Sequence, residues 1–227
     1  MAKIKFGMMM TDARGKLGGQ VFSKNRGGAY IRTKVTPSNP RTADQQANRA
    51  LLGSLSQSWS GLTEAERASW NGAVSNWAKT NIFGDSHNPT GKNLFVQLNK
   101  NLSAAGFATI LVAPEKVEMA ILGLTSVEFN LTDDTLSLNN TGDTTGFTIT
   151  LSATPSLTQG TSNAKNKFRN FYTAPSGDYD ELDAYAAYAA KFGAPVIGAN
   201  IQVSVKLVAE NGQLSVPESV KATIIAP

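Results

Sequence analysis

The chain has 227 residues, a single histidine, no cysteine and a formal net charge of +4. That length holds one large domain or two small ones. The lack of cysteine excludes disulfides and thiolate metal sites, and no run approaches the ~18 consecutive apolar residues of a membrane span.

The charge is laid out unevenly. Residues 1–49 carry ten basic side chains against Asp12 and Asp44, a balance of +8, while the remainder carries 11 basic and 15 acidic residues, a balance of −4. A basic segment on a mildly acidic body asks for an anionic partner: nucleic acid, an acidic face of another protein, or another copy of the chain. A cysteine-free chain also suits assembly in a reducing cytosol.

The first stretch, MAKIKFGMMMTDARGK, carries lysines and methionines. Gly7 breaks its apolar run, which is shorter than the roughly 7–15 apolar residues of a secretory signal, so it reads as mature protein. Residues 1–40 then read as a basic, glycine-rich arm. Strand-like pieces at Gln20–Ser23 and Ala29–Val35 flank Lys24-Asn25-Arg26-Gly27-Gly28, where Asn and Gly accept positive φ and make a hairpin turn with a bulge. A lone hairpin is marginal in water, so this one is expected to lie on the rest of the protein or on a partner. Val21, Phe22, Tyr30 and Ile31 offer it apolar contact, and Gly18, Gly19, Gly27 and Gly28 offer tight backbone. Arg26, Arg32, Arg41 and Arg49 are the candidates for contacts to acidic neighbours.

Residues 41–112 read as helical. Thr42 and Gln45 match a capping box, and Leu51, Leu52, Leu55, Trp59 and Leu62 follow at three- and four-residue spacing. After Gly61, Thr63 and Glu66 repeat the box and open a second helix with Trp70, Ala73, Val74 and Trp77 inward. The short turn predicts an antiparallel helical hairpin. TNIFGDSHNPTGK reads as a loop, and a third helix from Thr90 to Ala105 places Leu94, Phe95, Leu98 and Leu102 inward before Gly106.

Residues 113–227 change period. VEFNLTDDTLSLNN, TGFTITLSAT and IQVSVKLVAENGQLSVPESVKATII alternate apolar and polar residues, the last around an Asn211-Gly212 hairpin signal. DYDELDAYAAYAAKFG reads as one helix, acidic at its start and stopped by Gly193. The fold class expected is α+β: a basic hairpin arm, a three-helix module, and an antiparallel immunoglobulin- or fibronectin-like β-sandwich with one helical insertion. The linker falls at Val112-Ala113-Pro114.

No constellation announces chemistry. RGKLGGQ and KNRGGAY lack P-loop spacing and context. The basic residues Lys16, Lys24, Arg26, Arg32 and Lys34 have the charge density for DNA contact, with Phe22 and Tyr30 as the aromatic residues available for stacking. His87 lies among turn formers and reads as a solvated side chain. Asp178, Asp180, Glu181 and Asp183 could hold calcium, yet they miss EF-hand spacing and suit an acidic helix start. No GxSxG elbow occurs, and the tryptophans at helical spacing read as core. The expectation is a protein without enzymatic activity, cofactor or metal.

The run from Gly15 to about Leu102, some two-fifths of the chain, resembles a recurring module of virion structural proteins in tailed bacteriophages. The resemblance is carried by GGQVFSKNRGGAYIR, by NPRTADQQANRALLG, by the W-x-x-LT-x-x-x-R-x-x-W unit (Trp59, Leu62, Thr63, Arg67, Trp70) and by FG…TGKNLFVQLN. The C-terminal part is similar to the immunoglobulin-like modules that such proteins append. The resemblance implies a head, neck or tail subunit, made in the host cytoplasm and located in the virion. Its expected partners are other virion proteins and copies of itself in a symmetric homo-oligomer, with no membrane. A nucleic-acid-binding protein is the rival expectation, and a carbohydrate-binding adhesin a third.

Overall fold

A computed structural model describes residues 2–8, 10–142, 144–161, 163–174 and 184–225. The protein is mixed α+β, with four α-helices and twelve strands among the described residues. It divides into two compact units: Met1–Gln97 with Ile110–Glu115, and Leu98–Thr109 with Lys116–Pro227.

In the first unit, β1 (Ala2–Lys3), β2 (Gly15–Leu17), β3 (Gln20–Asn25) and β4 (Gly28–Thr33) form an antiparallel sheet in the order β1-β4-β3-β2. The predicted hairpin is therefore not alone; a short strand flanks it on each side. Its connection is also tighter than predicted. Asn25 pairs with Gly28, leaving Arg26-Gly27 as a two-residue turn, and the β3–β4 register runs without a shift.

The helices α1 (Ala43–Gly61) and α2 (Glu64–Ala73) start where their capping residues place them. The Gln45 N–H donates to Thr42 Oγ1 at 3.3 Å, but the Gln45 side chain accepts from the Arg41 N–H at 3.1 Å. The first capping box is thus only half made. The second is complete. The Glu66 N–H donates to Thr63 Oγ1 at 3.3 Å, and the Thr63 N–H donates to Glu66 Oε2 at 2.7 Å. The Thr63 backbone and hydroxyl bonds hold the Glu66 carboxyl below its ordinary range.

Leu55 is buried on α1, Leu62 is buried at its C-cap and Trp59 is half-buried, whereas Leu52, predicted inward, is 56% exposed. At roughly 100° per residue it lies roughly 60° round the helix from Leu55. Trp77 is buried, but in a 3₁₀ turn (Val74–Trp77) beyond the end of α2. The predicted loop contains a two-rung ladder, β5 (Lys79–Thr80) against β6 (Ser86–His87), before α3 (Gly91–Ala104). The Phe95 ring meets Trp59 at 5.6 Å and Trp70 edge-on at 5.3 Å. Fully buried Trp70 donates its indole N–H to the Leu111 carbonyl at 2.7 Å, so the ring is buried without losing its hydrogen bond.

The second unit contains the end of α3, where the Gly106 N–H reaches the Ser103 carbonyl at 3.3 Å and the Phe107 N–H reaches the Leu102 carbonyl at 2.9 Å. These paired bonds close the helix as predicted for Gly106. The strands β7 (Leu124–Asn130), β8 (Thr135–Asn140), β9 (Phe147–Ala153), β10 (Arg169–Ala174), β11 (Ile201–Ala209) and β12 (Glu218–Ile225) form one six-stranded sheet. Its order is β10-β9-β11-β12-β7-β8, and α4 (Tyr185–Phe192) lies between β10 and β11 in sequence. All neighbours are antiparallel except β12 and β7. Residues 218–222 of β12 pair with β11, and residues 223–225 pair in parallel with β7.

Period-two alternation sets the core. Val127, Phe129, Leu136 and Leu138 are buried from the first hairpin, and Ile201, Val203, Val205 and Leu207 from β11. β10 was not anticipated from the sequence. It is an edge strand that opens with exposed Arg169 and Asn170 and shifts register before Tyr172, which hides its alternation.

The predicted helix before Gly193 is α4, beginning at Tyr185; Asp178, Asp180, Glu181 and Asp183 lie outside the described residues. Tyr188 is fully buried from α4, 4.8 Å from the Phe129 ring and 5.0 Å from Phe192. Its hydroxyl donates to the Thr154 carbonyl at 3.0 Å, and burial pushes its pKa up to about 12. The Asn211-Gly212 turn forms as predicted, with Gly212 at φ 80°. A Cβ at Gly212 would stand 2.5 Å from the Leu98 carbonyl oxygen, and the Asn101 amide donates to the Gly212 carbonyl at 2.8 Å. Only glycine combines that dihedral with that approach.

Candidate functional site

The β register of the first unit sorts the predicted contact residues onto two faces. Lys16, Val21 and Arg32 face one another across three strands, and Ser23 with Tyr30 and Lys3 form the next row on that side. Phe22 and Ile31 pair on the opposite side. The predicted set is therefore divided. One face joins Lys3, Lys16 and Arg32 around Val21 and Tyr30, and the other presents the apolar Phe22–Ile31 pair. Val21, Phe22, Tyr30 and Ile31 are each half-buried, and Arg32 is exposed. Among the described residues, Lys16, Lys24, Arg32 and Lys34 make no ion pair; the pairs formed are Lys5–Asp85 and Arg14–Asp12, each at 3.2 Å.

The hairpin tip is held by its own unit. Arg26 donates to the carbonyls of Asn88 and Pro89 at 3.3 and 3.4 Å, which occupies a residue predicted for acidic neighbours. Lys3 Nζ and the Asn81 amide both donate to the Gly27 carbonyl, at 2.8 and 3.2 Å. Gly27 is buried, and a Cβ there would stand 3.1 Å from Lys3 Nζ and 3.3 Å from a carbon of the His87 ring. Arg41 and Arg49 sit elsewhere, both exposed. Arg41 has a φ of 53°, and Arg49 donates to Asn39 at 3.1 Å.

Around this tip the first unit forms a cleft of about 620 Å³. Its charged lining consists of Lys3, Arg26 and Lys79, with His87 beside them and no carboxylate or Phe, Tyr or Trp ring among the described residues. Lys79 Nζ donates to Gln97 Oε1 at 2.5 Å, and Lys3 Nζ also donates to Asn25 Oδ1 at 3.2 Å. The lysines and Arg26 thus meet neutral oxygens here, and their charge is not neutralised by these bonds. Asp85, outside the lining, is held below its ordinary range by the Asn81 side chain and by Lys5.

His87 departs from its predicted solvated state. It is half-buried, and its Nδ1 is buried without a hydrogen-bond partner. Nothing in NIFGDSHNP marks which side chain turns inward, because the residues that select the turn are polar throughout. Among the described residues no group of three or more His, Cys, Asp or Glu could hold a metal ion, and no helix is long and apolar enough to cross a membrane.

No protein-family model matches the chain, and no curated protein or solved structure matches it either.

Proposed function

We propose that the chain is a non-enzymatic structural subunit of a tailed-phage particle, in the head, neck or tail. Residues 1–40 and 41–112 anchor it to neighbouring subunits, and residues 113–227 form an immunoglobulin-like body that packs laterally or faces outward. The observation that carries this reading is the N-terminal sheet. It joins unpaired cations to half-buried apolar side chains, and Gly27 is the one buried residue described before Val35. A surface of that kind gains stability from a partner. The motif order from Gly15 to Leu102 supports the same assignment. Support for the immunoglobulin-like body comes from the strand order, in which the first strand of the unit runs parallel to its last.

Incorporation tests the anchoring. Particles assembled with a chain lacking residues 1–40 should contain none of it; normal copy number in such particles would overturn the reading.

One observation favours a second reading, in which the basic face contacts nucleic acid: Tyr30 lies on the same face as Lys3, Lys16 and Arg32. That reading requires duplex or single-stranded DNA to bind at moderate salt, with affinity falling steeply as salt rises. Retention of DNA binding after Lys16 and Arg32 are both changed to Gln would remove this face from it.

A further inference from the structure

The cleft at the hairpin tip is a second cationic site, built differently from the open sheet face. Three cationic side chains line it, each fixed by bonds to neutral oxygens, and its remaining polar lining is rich in side-chain amides such as Asn25, Asn81, Asn93 and Gln97. Cations without carboxylates select an anion. Amides select a ligand with its own donors and acceptors, as an extended peptide backbone has. The absence of an aromatic ring other than imidazole leaves no platform for a nucleobase. His87 completes the lining, and its Nδ1 is buried without a hydrogen-bond partner.

The chain itself contains a peptide of matching chemistry. Asp178-Tyr179-Asp180-Glu181-Leu182-Asp183 places four carboxylates within six residues, the densest acidic run in the sequence. We propose that the cleft lined by Lys3, Arg26, Lys79 and His87 binds the acidic segment 178–183 of a second copy of this chain. The inference deepens the assembly reading above and rests on it only for the presence of neighbouring copies.

The test uses the purified full chain, so it is independent of particle incorporation. A synthetic peptide of residues 176–184 is titrated into isotopically labelled protein and followed by NMR. The amide and side-chain signals of Asn25, Gly27, Asn81 and His87 should move together, with affinity that weakens as salt is raised. A control peptide with Asn or Gln at the four acidic positions should leave them in place. K79Q should weaken peptide binding about tenfold, the effect of losing one well-placed charge contact. Because Lys3 also braces the hairpin tip, K3Q is read together with circular dichroism, while K79Q has no such bond to the tip. In sedimentation, D178N/D180N/E181Q/D183N should self-associate more weakly than the natural chain. The proposal is overturned if the cleft signals stay still or if the neutral peptide binds equally well. It is likewise overturned if inorganic phosphate or a duplex oligonucleotide moves the same signals at lower concentration than the peptide.

Discussion

The two sheets of this protein solve the same problem in opposite ways. In the six-stranded sheet β11 buries six apolar residues of its nine, and β9 buries Ile149, Leu151 and Ala153, so apolar contact holds the strands. In the four-stranded N-terminal sheet no strand residue is buried, and its tip is fixed by polar bonds from Lys3, Arg26 and Asn81. Burial of apolar area is the large stabilising term, whereas hydrogen bonds and exposed charges contribute little net. The first kind of sheet is stable by itself. The second leaves side chains available, which is what a contact surface needs.

Substitutions sharpen that contrast, the largest effect coming from the buried sheet. Phe129→Ala, at a fully buried position, should cost about 3–5 kcal/mol in chemical denaturation. Phe22→Ala, at a half-buried site on the N-terminal sheet, should cost about 1 kcal/mol or less. Equal losses would mean that the N-terminal sheet has a core of its own and would erase the distinction.

Next in size is Tyr188→Phe, which strands the Thr154 carbonyl and should cost about 1–3 kcal/mol. The same residue sets an alkaline limit. Its folded pKa, about 12, lies above the ordinary value of 10, so above pH 10 the unfolded chain loses a proton that the folded chain keeps. Stability should therefore fall between pH 10 and 12, and the Tyr188→Phe variant should show a shallower fall than the natural chain.

Thr63→Ala should cost about 1 kcal/mol by removing the complete capping box, while Thr42→Ala, at the half-made box, should cost less. Glu66 adds an acid dependence. Its depressed pKa means its contribution is full above the unfolded value near 4.5 and is lost as pH falls through the lower folded value. Loss of helix stability at low pH should be smaller in Glu66→Gln, as followed by circular dichroism. Smallest of all in free energy is Arg26→Ala, whose exposed contacts to the Asn88 and Pro89 carbonyls are worth well under 1 kcal/mol, yet hydrogen exchange at the hairpin tip should quicken.

What the sequence revealed follows the same division. Period-two alternation in VEFNLTDDTLSLNN and around Asn211-Gly212 located β7, β8 and β11, because a sheet with one buried face must write that pattern. The capping boxes at Thr42 and Thr63 and the stop at Gly106 are local chemistry and were legible at a few residues' range. β10 was not, since an edge strand pairs on one side only and tolerates Arg169 and Asn170. The cleft was legible only as basic charge. Its geometry depends on the ladder of Lys79 with His87 and on how Gly27 seats against that ring, and both are long-range contacts. Leu52 shows the limit from the other side: correct spacing admitted it to an apolar stripe whose margin is exposed.

The placement of β12 has a consequence for how the second unit is made. Residues 218–225 lie between β11 and β7, so they join β10-β9-β11 on one side to β7-β8 on the other. Synthesis delivers this joining strand after all the strands it joins. Until it arrives, β7 and β11 each present an open edge rich in apolar residues, the kind of edge that recruits foreign strands. The sheet is thus complete only once β12, the last of its strands in sequence, has settled between β11 and β7.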